Sequence, residues 1–508
     1  MLIQIPGFLG GQVDSAYEPV ENQTFQKARD LDIFGELNVL TPNHKLVNDN
    51  GKSTNFKPYN SYTGSDGKHY FLGQEEIAAT TYRIVYSTAL LGTLGTYTEV
   101  DKVSGTIGNE YPFEEFKDGL FWGNGTSLRR WGNLSGAPSA ANVAGISLTT
   151  SLNALRSHIG LGKLFYVHNT QKSIGWYNGS TNSDSVLVLN ANDRIVSIEP
   201  FGQFLLVGVK DVQRSKNSRI LIWDGASSTV EDVMELSTPN LQAFRVIGSM
   251  IRALVADNRE WAIYEGTVGG QLDPVCIFKN VNSDTTTEFN NEALSVNTGV
   301  LYWGTKAAQS VNTPTLSQDV GVFAYGTEKI SKPKRLNLDR LVHTGATTAV
   351  AITSVKYNGR FYIVTWTNGT DWFINHNNDS SRASSANGVY QTEIFKTAFG
   401  RKGKIKEIII DHKSLPASTG FTVKIRHLGS KSPMRGIAPG TEETFASGAV
   451  SVSQTLDNTT RTVIKDGDVD FKYCEAAQIQ IAFDTVSGTN APEIIFPIII
   501  ETEEKDIN

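Results

Sequence analysis

Short apolar runs, each followed by a hairpin that ends on an aromatic residue close to a glycine, recur through the middle of this chain. Asp118-Gly-Leu-Phe-Trp leads to Arg130-Trp131-Gly132, Lys163-Leu-Phe-Tyr-Val to Trp176-Tyr177-Asn178-Gly179, and Phe204-Leu-Leu-Val-Gly to Ile222-Trp223-Asp224-Gly225. The same unit returns at Ile251-Arg-Ala-Leu-Val to Ile263-Tyr264-Glu265-Gly266, at Val300-Leu-Tyr-Trp-Gly to Phe323-Ala-Tyr325-Gly326, and at Arg360-Phe-Tyr-Ile-Val to Asp371-Trp372. Gly132, Gly179, Gly225, Gly266 and Gly326 lie 47, 46, 41 and 60 positions apart, close to the ~40 to 50 residues that four antiparallel strands need for one propeller blade. A blade has two apolar faces and hides neither alone, so blades must stack around an axis. Runs such as Lys-Leu-Phe-Tyr-Val are apolar on both faces, as a strand between two blades requires. The Asn-Gly and Asp-Gly pairs supply the positive φ that tight hairpins need.

Strand rhythm begins earlier, at Lys68-His-Tyr-Phe-Leu-Gly and Tyr82-Arg-Ile-Val-Tyr, which adds one blade and predicts a β-propeller of six or seven blades over residues 61–398. Closure is expected around Gly388-Val-Tyr-Gln-Thr-Glu-Ile-Phe, with a strand from one end of the domain completing a blade begun at the other; closure removes the exposed edge. Residues 1–60, rich in Asn, Pro and Lys with only the short apolar runs Leu31-Asp-Ile-Phe and Leu37-Asn-Val-Leu, read as an N-terminal arm or docking segment. After Phe399-Gly-Arg-Lys-Gly the repeat stops. Lys404-Ile-Lys-Glu-Ile-Ile-Ile-Asp, Phe421-Thr-Val-Lys-Ile-Arg, Gln478-Ile-Gln-Ile-Ala-Phe and Pro492-Glu-Ile-Ile-Phe-Pro-Ile-Ile-Ile-Glu mostly alternate, and predict a C-terminal β-sandwich over residues 399–508. Within it the polar stretch Gly436 to Thr460 reads as a long loop or protruding hairpin. The fold class is all-β.

Composition agrees. Charged residues make up 19% and aromatics 10%, with 46 glycines against 16 prolines over 508 residues, which is turn-rich β-protein and excludes a disordered or coiled-coil chain. The two cysteines, Cys276 and Cys474, cannot build a disulfide framework or a metal finger. The start Met1-Leu-Ile-Gln-Ile-Pro-Gly does not read as a secretory leader, and no apolar run approaches the ~20 residues of a membrane span. A protein made in a cytoplasm is the expectation. The net charge of −6 argues against a protein whose main task is to grip nucleic acid, while leaving transient contact open.

Candidate chemistry is sparse. His44, His69, His158, His168, His343, His376, His412 and His427 show no zinc spacing and read as structural, and neither a GxSxG elbow nor a phosphate-binding loop occurs. Ser65-Asp-Gly-Lys-His-Tyr-Phe lacks the spacing of a sialidase Asp box, and Trp223-Asp224 is the one Trp-Asp pair of the WD type. Asp193, Glu199, Asp224, Asp257 and Glu260 fall near blade edges; solvated turn positions are the reading favoured over paired carboxylates around an axial pocket. Lys329-Ile-Ser-Lys-Pro-Lys-Arg and Arg401-Lys-Gly-Lys-Ile-Lys are basic clusters, read as exposed faces over nucleic-acid or acidic-subunit contacts. Asn124-Gly-Thr, Asn133-Leu-Ser, Asn178-Gly-Ser and Asn368-Gly-Thr match the glycosylation pattern and read as turns. No catalytic, cofactor-binding or metal-ligating residue is assigned, no cofactor is expected, and an enzyme is not.

The opening Ile-Pro-Gly-Phe-Leu-Gly-Gly followed by Asn38-Val-Leu-Thr-Pro, the degenerate aromatic blades ending in Trp-Asp-Gly or Tyr-Asn-Gly, and the tail Ile408-Ile-Ile-Asp, Phe421-Thr-Val-Lys-Ile-Arg and Ile498-Ile-Ile-Glu resemble the propeller-bearing virion proteins of tailed bacteriophages, of the tail hub or nozzle type. The resemblance implies a virion subunit, in the tail, whose copies form a ring that extends the DNA ejection channel. Its partners would be copies of itself, portal, adaptor or other tail proteins, and transiently the phage DNA. The ring's hole, not the propeller axis, would carry the duplex. Two alternatives stay open: a receptor-binding or decoration protein of the same particles, using outer loops such as Asn375 to Gly388, and a propeller glycoside hydrolase or lyase.

Overall fold

The computed structural model describes residues 1–8, 11–12, 24–34, 36, 38–49, 55–88, 96–105, 112–124, 126–136, 138–148, 154–256, 260–279, 291–305, 319–327, 334–344, 350–357, 362–382, 388–399, 402–417, 419–428, 449–453, 460–483 and 491–504. Among the described residues, apart from a 3-10 turn at Asn291–Ala293, the regular elements are strands. Seven four-stranded antiparallel units are present, so the blade number is seven. Blades one to five occupy residues 56–104, 113–147, 155–188, 193–235 and 241–279, and blade six residues 294–344. Their innermost strands, Phe56–Thr63, Phe113–Glu115, Leu155–His158, Asp193–Phe201, Leu241–Ile247, Leu294–Asn297 and, from blade seven, Ala351–Tyr357, touch in cyclic order. The chain is a closed β-propeller.

Blade seven is assembled from both ends of the domain. Ala351–Tyr357, Tyr362–Thr367 and Trp372–Arg382 are followed not by a fourth consecutive strand but by His44–Asn48, which pairs antiparallel with Trp372–Arg382 in the register Asn375↔Asn48, His376↔Val47, Asn377↔Leu46. Ring closure thus depends on a strand from the segment that reads as an arm. Apolar clusters fill each gap between neighbouring blades. Phe165 and Val167 of blade three meet Leu205, Val207 and Trp223 of blade four, and Trp303 and Phe323 of blade six stack beside Trp261 of blade five. Both faces of a blade are buried, as its sequence pattern demands.

The aromatic–glycine turns have a second role. Lys117 of blade two donates to the Asn178 carbonyl of blade three at 2.5 Å, Lys163 of blade three to Gly225 of blade four at 3.0 Å, and Arg252 of blade five to Gly299 and Tyr325 of blade six at 2.7 and 3.0 Å. Each cation stands at or near the start of its blade's second strand and hooks the turn of the next blade, or its neighbour.

The remaining strands form the sandwich. One sheet runs Arg461–Lys465, Gly403–His412, Ile494–Glu504, Val39–Pro42, Leu31–Asp32, with Leu2–Ile5 also on Ile494–Glu504. The other contains Thr24–Arg29, Val389–Thr392, Ala476–Phe483, Gly420–Leu428 and Ala449–Ser453. Ile408, Ile410, Ile498 and Ile500 from the first face Phe25, Val423, Ile479 and Ile481 from the second in one buried cluster. The second sheet is not separate from the propeller. Thr24–Arg29 pairs in parallel with Arg335–Thr344, the outermost strand of blade six, through Arg29↔Leu338. Asp30 N–H donates to the Leu338 carbonyl at 3.2 Å, the Asn337 amide to Leu31 at 3.1 Å, and the Asn43 amide to the backbone and carboxylate of Asp339 at 2.9 and 3.1 Å. Of the stretch Gly436 to Thr460, residues 449–453 are a strand and 460 is described; the rest lies outside the described residues.

Candidate functional site: a ring of alternating charge on the propeller axis

Six of the seven innermost positions around the axis carry an ionisable side chain at the same level. In ring order from blade one these are Asn60, Glu114, Arg156, Glu199, Arg245, Glu292 and Lys356, so sign alternates from blade two to blade seven. A ring of seven cannot alternate all the way round. The neutral Asn60 fills the odd place and donates to Glu292 at 3.2 Å.

Arg156 is the hub. Its Nε lies 2.9 Å from Glu199, and its Nη1 3.8 Å from Glu114 and 3.7 Å from Glu292 across the ring. Arg245 reaches Glu199 at 3.0 Å, and Lys356 lies 3.9 Å from Glu292. Neutral donors complete the shell. Ser157 gives its N–H and hydroxyl to Glu114 at 3.1 and 2.8 Å, and the Asn291 side-chain oxygen accepts from Ser197 and Arg245 at 2.8 and 3.0 Å. Arg156, Glu199, Arg245 and Glu292 are all buried, and a buried charge persists only when paired and hydrogen-bonded.

Burial and pairing pull these groups in different directions. Burial pushes the Glu114 carboxyl above its ordinary range despite Arg156 and Ser157. For Glu292 burial acts the same way, but Arg156, Lys356 and Arg245 together hold it below that range. Burial depresses Arg156, yet its three carboxylates leave it more basic than usual; Arg245, with fewer partners, ends lower. Burial brings the Lys356 ammonium down to about 8. Tyr62, beside Glu114 and Glu115, is raised chiefly by burial. Three carboxylates do converge here, as a hydrolytic pair would, but Arg156 stands among them and saturates them. The arrangement is an electrostatic plug: three anions and three cations that tie blades two to seven together at the centre.

The residues singled out in the sequence are scattered by comparison. Of the three edge acids whose side chains are described, Glu199 alone joins the ring. Asp193 is buried against Arg219 at 2.8 Å, and Asp224 is a turn acid that accepts from Ala226 and Ser227 N–H at 2.9 and 2.8 Å, which lowers its carboxyl. Asp257 and the side chain of Glu260 lie outside the described residues. Among the histidines, His69, His158, His168, His376, His412 and His427 are buried; His158, for example, faces the Phe204 carbonyl at 3.0 Å and accepts from Leu161 N–H at 3.2 Å. The His343 side chain lies outside the described residues. In the basic clusters, residues 328–333 and 400–401 also lie outside them, while Lys404 pairs with Asp466 and Lys406 lies 3.5 Å from Glu501. Cys276 is half-buried and Cys474 buried, both free thiols. Among the described residues no group of three or more His, Cys, Asp or Glu is placed to hold a metal ion, and no helix is long and apolar enough to cross a membrane.

A signal for the ring was present in the chain. An ionisable residue falls in the inner strand of blades two to seven, or in the turn leading into it, at 114, 156, 199, 245, 292 and 356, with the spacing of the blades themselves. The turn glycines carry the blade period, and the charged positions carry it as well.

No family model and no curated protein matches the chain in sequence. Among solved structures it is similar to Raptor of Chaetomium thermophilum, at a TM-score of 0.44 and 8% identity over 70% of this chain and 30% of that one. It is also similar to the β-propeller domain of Cps50 (Swd1) from Myceliophteria thermophila, at 0.42 and 10% over 66% and 99%, and to the Pan2 WD40 domain of Neurospora crassa, at 0.38 and 9% over 67% and 91%. The chain spans less than a third of the Raptor chain. The propeller itself is established by the strand order and ring closure described above.

Proposed function

We propose that this protein is a structural subunit of a tailed-bacteriophage particle, of the tail hub or nozzle type, acting through assembly and not through chemistry. The observation that carries the reading is mechanical. A disc whose axis is filled by paired charges, and whose sixth blade continues by hydrogen bonds into the sandwich, is one stiff body with a bracket attached. Such a body suits a ring of copies, in which the sandwich engages a neighbour or the portal side and the hole between discs, not the plugged axis, carries the duplex. The virion assignment itself comes from the resemblance of the N-terminal, blade-turn and tail segments to that family.

Quantitative mass spectrometry of purified particles tests it. A copy number on the order of six to twelve per particle, measured against the major capsid protein, supports a tail ring. Hundreds of copies would instead make the chain a decoration protein, and complete absence from particles would sink the virion reading.

A further inference from the structure

The gap between blade seven and blade one is bridged differently from the rest. His44–Asn48 is the outermost strand of blade seven, yet hydrogen bonds and packing hold it there where the other blades use a turn, and the chain after it leads into Phe56–Thr63 of blade one. Alternation decides what faces this gap. Phe71, Ile84 and Tyr86 of blade one and Ile363 and Ile374 of blade seven form its apolar cluster. His69 stands two residues before Phe71 on one strand and shares its face. His376 stands two after Ile374 and opposite Ile363 in register, and shares theirs. Two imidazoles therefore look into one gap from opposite sheets, and both are buried, at 1% and 8% exposed.

Their surroundings favour neutral rings. His69 Nδ1 lies 3.1 Å from the Thr63 hydroxyl, and His376 Nδ1 3.0 Å from the Asn377 carbonyl. Thr88 is the cross-strand partner of His69, and beyond Thr88 comes Tyr97, whose hydroxyl donates to Asp49, the residue after the closing strand. Asp49 in turn gives its N–H to the Ile374 carbonyl at 2.8 Å. Glu75, on the face of His69 and Phe71, accepts from the Tyr86 hydroxyl. These two carboxylates are thus held by phenols. Burial first, and then the nearby His376, bring the His69 imidazole down from 6.5 to about 4.

We propose that this gap is an acid-sensitive latch, in which protonation of His69 beside His376 parts blade seven from blade one and frees His44–Asn48 from Trp372–Arg382. A base held low in the closed ring stays uncharged there, while the opened ring takes up a proton. The closed form therefore has its full stability above pH 6.5 and loses it as pH falls from 6.5 to about 4. The response is local, because blades four and five, over residues 193–235 and 241–279, contain no histidine. His168 of blade three is also lowered by burial, but Asp184 counters the shift and its Nε2 accepts from Ser185 N–H within the same blade. The latch is a property of the disc alone and does not rest on the virion reading.

Hydrogen exchange of the full chain, read by mass spectrometry at about pH 7.5 and 5 and corrected for the intrinsic pH dependence of exchange, tests it. Protection of residues 44–48, 69–77 and 372–382 should fall about 30-fold at the lower pH, the ratio set by a proton affinity of 6.5 open and about 4 closed. It should return when the pH is restored, and blades four and five should keep theirs. His69→Gln should abolish the response. His376→Gln, which removes the second imidazole and leaves His69 in place, should diminish it, and gives the answer if His69→Gln does not fold. His168→Gln should leave it whole. Protection at the gap that is the same at both pH values overturns the proposal, as does an equal loss in blades four and five, which would be general acid unfolding. So does a response that survives His69→Gln or, where that variant does not fold, survives His376→Gln undiminished.

Discussion

At the scale of single residues, the axis is where substitution costs most. Removing the Arg156 guanidinium leaves Glu114, Glu199 and Glu292 facing one another with Arg245 and Lys356 as the cations that remain among the six. Breaking a buried pair from one side is worth roughly 3–5 kcal/mol, so Arg156→Met should lower the urea midpoint by that equivalent; a loss under about 1 kcal/mol would mean water replaces the side chain and the plug is wet. Lys356 makes a separate prediction. Its folded pKa of about 8 lies below the 10.5 of a free lysine, so between those values the unfolded chain binds a proton that the folded chain has released. Stability must therefore rise with pH in that window, and the cost of the buried ammonium is fully present below it. Cys276, pushed by burial from 9 up to about 12, opposes the rise from pH 9 upward, because there the unfolded thiol ionises first. The clean interval is pH 8 to 9, where the parent should gain up to about 1 kcal/mol over Lys356→Met, read from paired denaturant curves; parallel curves would rule out a depressed lysine. Of the ring, only Glu199 drew notice in the sequence. A lone charge in an apolar strand looks like a solvated edge until neighbours from other blades, 40 or more residues away, supply its partners, and such pairing leaves no local trace.

Elements were far more legible, because their causes are local. Alternation and two-sided apolar runs mark strands, and the aromatic–glycine turns mark hairpins, so the blade repeat could be read directly. What the turn pattern does not disclose is that three of these turns are also hooks for the preceding blade. Gly225 shows the consequence. It has φ +72°, and a Cβ there would lie 2.8 Å from both Leu161 and Phe165 of blade three. Gly225→Ala should cost about 1–3 kcal/mol through backbone strain and that clash; a thermal shift no larger than that of Gly202→Ala, which has a similar φ of +58° but open space around it, would show that only the backbone matters. The outer strands carry their own protection. Irregular register interrupts Tyr97–Ser104, Ser139–Ser147, Asn182–Val188 and Asp273–Lys279, and bulges of this sort turn an edge away from further pairing. Blade seven depends instead on His44–Asn48. A chain lacking residues 1–50 should leave Trp372–Arg382 as an open edge and aggregate on concentration, measurable by light scattering; a monodisperse, cooperatively melting product would mean that the strand is dispensable for closure.

At the scale of the whole molecule, the question is whether disc and sandwich are one cooperative unit or two. Sequence marks a change of pattern near residue 399, since the blade rhythm ends there, but not the five strands that residues 2–42 contribute to the sandwich. Pairings such as Leu2↔Glu501 and Arg29↔Leu338 join positions hundreds of residues apart, and a six-residue strand such as Thr24–Arg29 carries no mark of its partner. Those strands change the expectation about unfolding. The seam is a parallel bridge at Arg29↔Leu338 reinforced by Asn43, Asn337 and Arg335, whose guanidinium donates to the Ile33 carbonyl and lies 5.3 Å over the Phe8 ring. One apolar cluster runs through it, from Tyr302, Val322 and Val364 of blades six and seven to Ile408, Ile479 and Ile498 of the sandwich. A linker between separate domains would let the sandwich melt first, whereas a shared core forces both to lose packing together. Calorimetry of the full chain should therefore show a single endotherm. Asn43→Ala with Asn337→Ala removes about 1–1.5 kcal/mol of seam hydrogen bonding per site, and should lower that endotherm without dividing it, because the apolar cluster remains. Two resolved transitions in the parent protein would make the sandwich an independently folding appendage, and would take away the stiffness on which the proposed assembly role depends.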